Sequence, residues 1–211
     1  MNIRVLYNVL LVRLGIRQIL PSDYINGIRV IENNDPMVPL LVDESLIKTD
    51  GNNFIGRKGM IERLLQAAKD ISEKGYCMHV YQIYRSPEIQ ANRRKELYEQ
   101  LKQSHPDFEE NDILRMVNKG VAGVGGGHQT GGAVDLGTQC REHTPKTVTK
   151  CKLLNEKQLK NRTVLLEAMH NAGFVNYPAE WWHFSYGDKM WAAYSNKKSA
   201  MYGEIVASGS I

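Results

Sequence analysis

The amino-acid sequence predicts an α+β fold, a single domain over residues 1–211 in which a central antiparallel sheet is flanked by helices. Three observations predict it. Apolar residues recur at helical spacing through "RKGMIERLLQAAKDISEKG" (57–75), with Met60, Ile61, Leu64, Leu65, Ala68 and Ile71 on one face. "YCMHVYQIY" (76–84) and "EWWHFSYGD" (180–188) are the β-branched and aromatic runs that suit strands. Several strands also fall beside tight turns, which favours an antiparallel layer with helices over a doubly wound sheet.

The elements follow in order. The helix at 57–75 stops at Gly75, and the strand at 76–84 ends at "RSPE", where Pro87 suits the first turn of a helix running to about 104. A second polar helix near 109–118 leads into a glycine-rich loop, and "GGAVDL" reads as a short buried strand. "EKQLKNRTVLLEAMHNAG" (156–173) is a helix closed by Gly173, and 180–188 is the last strand. Residues 1–44 are expected to be an N-terminal extension packing on this domain, with no repeat or low-complexity linker in the chain.

Composition excludes several function classes. At 42% hydrophobic and 24% charged, the 211 residues suit a folded domain with a core. No apolar run reaches the roughly 18–20 residues that span a bilayer, so no membrane partner is expected. The net charge of +4 is spread without a long Lys/Arg block, which gives nucleic acid no footprint. "MNIRVLYNVLLVRLGI" is partly apolar, but Arg4 and Arg13 bracket a short stretch and no small-residue cleavage pattern follows. Cys77, Cys140 and Cys151 are odd in number and lack paired spacing, which fits a reducing compartment and a cytoplasmic protein. Export is the alternative, under which Cys140 and Cys151 could bridge. Cys77, in an apolar run, is expected to be a small core residue.

The stretch "GGGHQTGGAVDL" (125–136) sets five glycines around His128, with Asp135 seven residues on. Each ordered glycine costs roughly 0.5–1 kcal/mol relative to alanine, so the cluster implies a sharp turn or a close approach. It is not a P-loop, which needs Lys-Ser/Thr where this loop has His128-Gln129, and the dinucleotide spacing fails at His128. Metal ligation fits better. His128, Asp135 and His183 offer two imidazoles and one carboxylate, a three-ligand set that leaves a zinc ion a free position for water. Glu180, three residues before His183, is the candidate general base. Arg85, at a strand end, could meet a developing oxyanion or serve only as a surface salt bridge. His79, His105, His143 and His170 have no partner at ligand spacing, and Trp181, Trp182 and Trp191 read as core aromatics.

"HQTGGAVD" (128–135) followed by "EWWH" (180–183) resembles the His-x6-Asp … Glu-x2-His signature of the zinc D-alanyl-D-alanine peptidases, with VanX-type dipeptidases the nearest group. "NNFIGR" (52–57), "YRSPEIQ" (84–90), 161–188 and "WAAY" (191–194) extend the resemblance over about residues 45–195. It implies one Zn2+ per chain on His128, Asp135 and His183, Glu180 as catalytic base and Arg85 at the oxyanion. It also implies a central antiparallel sheet, and the free dipeptide D-Ala-D-Ala as substrate. Such activity belongs to peptidoglycan recycling in the cytoplasm or to vancomycin resistance.

Two departures mark this chain. Gly126 stands where the family often has a serine, and "VDLGTQCRE" runs straight on where relatives carry a further hairpin. Arg141 then takes the place of an acidic residue, with Glu142 beside it, and Glu142 and Tyr84 are candidate substrate contacts. Two alternatives stay open: a D,D-carboxypeptidase acting on peptidoglycan stems, and a non-catalytic zinc module.

Overall fold

The computed structural model describes residues 2–51, 54–120, 126–137 and 146–205. Two helices open the chain, α1 (Ile3–Arg13) and α2 (Ser22–Asn26), followed by short strands β1 (Arg29–Val30), β2 (Met37–Pro39), β3 (Ile47–Thr49) and β4 (Ile55–Arg57). Helix α3 (Lys58–Glu73) leads to β5 (Met78–Gln82), then α4 (Pro87–Ser104) and α5 (Glu110–Gly120). A 3-10 turn (Gly127–Thr130) precedes β6 (Ala133–Leu136), and α6 (Glu156–Asn171), β7 (Val175–Tyr177), β8 (Glu180–Ser185), α7 (Lys189–Tyr194) and β9 (Ser199–Ala200) complete the order.

The helices form where local chemistry favours them. Ser86 Oγ accepts the Ile89 N–H at the start of α4, with Pro87 in its first turn. Asn155 and Gln158 cap α6 reciprocally, the Asn155 side chain accepting from the Gln158 N–H at 2.9 Å and the Gln158 side chain from the Asn155 N–H at 3.2 Å. Helix α3 buries Met60, Ile61, Leu64, Ala67, Ala68 and Ile71, the stripe expected from its spacing.

The principal sheet has five strands in the order β3-β5-β6-β8-β7. The pairs β5/β6, β6/β8 and β8/β7 are antiparallel, as expected, while the edge pair β3/β5 is parallel. The parallel edge follows from the α3 crossover, which returns the chain to run in its earlier direction. Ile47, Met78, Val80, Val134, Leu136 and Phe184 of the sheet pack with the buried stripe of α3 and with Ala168, Met169 and Ala172 in one core. Two small pairs lie outside this sheet, β1 with β9 and β2 with β4.

Strands of two or three residues, such as β1 to β4, are too short to show an alternating pattern, so the region before residue 57 was not legible as structure. Cys77 corrects an expectation, because it is exposed. Strand β5 begins only at Met78, which turns into the core and leaves its predecessor facing outward. Among the described residues, no helix is long and apolar enough to cross a membrane. Near the N-terminus, Arg13 donates to the Ala193 carbonyl at 2.7 Å and the Leu20 N–H to the Tyr194 hydroxyl at 3.0 Å.

Candidate active site

Strands β6 and β8 bring the first two ligand candidates together, because Asp135 and His183 are register partners on one face of the sheet. His128 arrives from the 3-10 turn just before β6. Its Nε2 lies 3.2 Å from Asp135 Oδ1, and His183 Nδ1 lies 3.0 Å from the same oxygen. One ligand atom from each of the three residues falls within 4.8 Å of the others. All three are nearly enclosed, at 8% (His128), 5% (Asp135) and 8% (His183) exposure.

The ring orientations are set from behind. His128 Nδ1 lies 2.6 Å from the Ile83 carbonyl, which can only accept, so this nitrogen carries a proton and a neutral ring points its lone pair at the cluster through Nε2. On the other ring, His183 Nε2 is 3.4 Å from Ser185 Oγ. Burial opposes ionisation of Asp135, but the two imidazoles overcome it and hold the carboxyl far below the usual carboxylate range. Burial also works against the His183 imidazolium, and the bonded Asp135 carboxylate outweighs that to raise its pKa above the ordinary value. Two imidazole nitrogens converging on a buried carboxylate oxygen form a donor set suited to Zn2+.

Two glycines show why the loop is built as it is. Gly131 has φ +70°, and a Cβ there would come within 2.7 Å of the Met37 sulfur. At Gly127 a Cβ would strike Asp188 Oδ2 and lie 2.9 Å from the Ala133 Cβ. The turn thus packs backbone against its neighbours, which sets His128 over β6. Arg57 locks it there, donating to the Thr130 carbonyl at 3.0 Å, the Asp35 carbonyl at 2.7 Å, Glu32 Oε2 at 3.0 Å and the Gly203 carbonyl at 3.3 Å.

Glu180 reaches the same side of the sheet by an irregularity. In a regular strand, residues three apart face opposite sides, so Glu180 and His183 should diverge. The β7/β8 register instead steps from Asn176↔Phe184 to Tyr177↔Glu180, leaving Trp181, Trp182 and His183 unmatched on β7. This bulge returns Glu180 to the side of Tyr177, whose ring centroid is 6.3 Å from that of His183.

Arg85 follows β5 closely, and its backbone N–H donates to the His128 carbonyl at 3.0 Å. Its guanidinium donates to Gln90 Oε1 at 2.7 Å and Gln82 Oε1 at 2.6 Å, so the fork is fixed between these two side chains. Tyr84 is half-buried, its backbone N–H donating to the Ile55 carbonyl at 3.2 Å, and burial followed by the Glu204 charge pushes its hydroxyl pKa up. Glu142, Arg141 and Cys140 lie outside the described residues. Arg57, Gln82, Gln90 and Asn176 were not singled out from the sequence. Of these, Arg57 sits within "NNFIGR", one of the stretches that carried the resemblance, and that was its one available signal.

Comparison with known proteins bears on the same residues. The family model described as D-ala-D-ala dipeptidase matches residues 126–201, the segment holding His128, Asp135, Glu180 and His183. A D-alanyl-D-alanine dipeptidase of Synechocystis sp. is 41% identical over 56 residues, covering 24% of this chain, and the match spans only 23% of that relative. A D-alanyl-D-alanine dipeptidase of Enterococcus faecium is 26% identical over 163 residues, 65% of this chain and 76% of the relative. The solved structure of VanYB in complex with D-alanine-D-alanine shares the fold, with a TM-score of 0.50 and 17% identity, over 80% of this chain and 92% of that one. A family match centred on the ligand-bearing strands, two sequence relatives and a common fold converge, and the chain is similar to the D-ala-D-ala dipeptidase family over the segment that carries these residues.

Proposed function

We propose that this chain is a zinc-dependent D,D-dipeptidase that cleaves D-Ala-D-Ala into two D-alanines. The observation that carries the reading is the convergence of His128, Asp135 and His183 on one side of the sheet, with Glu180 turned to that side by the β8 bulge. The names of the two sequence relatives support the substrate.

His128 Nε2, Asp135 Oδ1 and His183 Nδ1 would hold one Zn2+ per chain. Bound there, the ion would polarise the scissile carbonyl and lower the pKa of a water to about 7. Glu180 takes a proton from the attacking water as its oxygen bonds to the carbonyl carbon, and gives it to the leaving amine as the C–N bond breaks. Arg85, its fork steadied by Gln82 and Gln90, is assigned to the charge that develops on the carbonyl oxygen. Tyr84 and Glu142 are assigned to the substrate, Glu142 to its free amine. The dipeptide is the partner proposed, with neither nucleic acid nor membrane. The odd cysteine count and the exposed thiol of Cys77 support a cytoplasmic setting.

The test is D-alanine release by the purified, zinc-loaded chain from D-Ala-D-Ala and, in parallel, from N-acetyl-D-Ala-D-Ala. Release from the free dipeptide alone is expected. Release from the acetylated substrate at an equal or higher rate would replace the dipeptidase with a D,D-carboxypeptidase. Release from neither, with zinc bound, would leave a binding module.

A further inference from the structure

The geometry points to Asn176 as a positioning residue for Glu180: its side-chain amide holds the β8 bulge that sets Glu180 and His183 on the same side. The inference rests on the proposed role of Glu180 as base. Asn176 is buried, on β7, at the step where the register shifts. Its Nδ2 lies 3.1 Å from the Glu180 carbonyl, 3.2 Å from that of Trp181 and 3.0 Å from that of His183. A bulge strips a strand of ladder partners, and a buried carbonyl without a donor is costly. One side chain thus serves three of the four carbonyls between Glu180 and His183.

The amide has only one way to sit. Carbonyls accept and cannot donate, so the nitrogen must face the bulge and the oxygen must face away. That oxygen accepts from the Thr149 hydroxyl at 2.5 Å. Thr149 is itself fixed, its N–H donating to the Pro178 carbonyl at 2.9 Å and its own carbonyl taking Arg162 Nη1 at 3.1 Å. The Trp181 N–H donates to the Thr147 carbonyl at 3.0 Å. Asn176 and segment 147–149 therefore hold the bulge together, the first through its carbonyls and the second through the Trp181 N–H.

Without this grip, β8 would relax toward regular alternation. Its pairing with β6 keeps His183 opposite Asp135, so Glu180 is the residue that would turn to the other side. Asn176→Asp keeps the shape but replaces the donor with an acceptor facing three carbonyls. It should retain zinc, leave KM within about threefold and lower kcat by about 10²-fold, since a group acting only in the transition state is displaced. In a Glu180→Gln background the same change should cost less than about threefold, because the group it positions is already absent. An equal loss in both backgrounds, or native kcat in Asn176→Asp, overturns the assignment. Thr149→Val leaves Asn176 in place but unpins its oxygen, and should act in the same direction more weakly.

A second measurement needs no turnover. Glu180→His places an imidazole on the metal side and should tighten zinc, in chelator competition, by about tenfold or more as a fourth protein ligand. Adding Asn176→Asp should abolish that gain. A gain that survives, or no gain in Glu180→His alone, overturns the inference. If the native chain binds zinc but releases no D-alanine, the dipeptidase reading falls while this affinity comparison still decides the role of Asn176.

Discussion

Asp135 and His183 are register partners on adjacent strands, and one carboxylate oxygen of the first lies 3.0 Å from Nδ1 of the second. Their approach is imposed by backbone pairing, with β5 flanking β6 and β7 flanking β8. Side-chain substitutions here should therefore remove metal binding without dismantling the sheet.

Asp135→Asn keeps the volume but removes the charge that both imidazoles face. The variant should lose zinc on dialysis against a weak chelator that leaves the native protein loaded, and its far-ultraviolet circular dichroism should be unchanged. Zinc retained at one equivalent would count against Asp135 as a ligand.

Glu180→Gln removes the proposed proton carrier and leaves the three ligands intact. Zinc content should stay native, while kcat for D-Ala-D-Ala falls by about 10²–10⁴-fold, the range expected for general acid–base catalysis. Unchanged turnover would remove Glu180 from the mechanism.

The zinc-free protein should show two-sided pH dependence. His183 has its pKa raised above 6.5 by Asp135 despite burial, so its contribution is full below that value and is lost as pH rises through the folded pKa. Asp135 has its pKa lowered, so its contribution is present above about pH 4 and fades as pH falls through the folded value. Urea midpoints of chelator-treated protein should therefore be highest between about pH 4 and 6.5. Asp135→Asn should flatten both arms, and a native profile without either arm would contradict the coupling.

Arg57→Met would leave the Thr130 and Asp35 carbonyls and Glu32 without their shared donor. A cost of about 2–4 kcal/mol is expected from urea unfolding, the scale of breaking a buried charged hydrogen-bond network. Arg57→Lys should recover little of it, since an ammonium cannot reach four acceptors with a planar fork's geometry.

The parts of the site legible in the sequence were those carried by residue chemistry. His128, Asp135, Glu180 and His183 are distinctive donors and acids, and their spacings match a known signature. The apolar stripe of α3, Pro87 in the first turn of α4 and Gly173 at the end of α6 are local patterns, read within a few residues. The β8 bulge was not legible, because Glu-x-x-His is the spacing that aligns two residues on a helix, and only the β7 register shows how a strand achieves it. Arg57 acts through backbone carbonyls far along the chain and Asn176 through those of the adjoining strand, and backbone partners of this kind leave no mark in composition or periodicity.

The four acceptors of Arg57 come from residues 32, 35, 130 and 203. The His128 turn is thus clamped by segments made early and late in synthesis, a contact of high sequence separation that carries its loop-closure entropy. During vectorial synthesis, α3 and β5 can pack while this clamp is still incomplete. A nascent chain halted before residue 203 would therefore lack one of the four acceptors through which Arg57 secures the His128 turn.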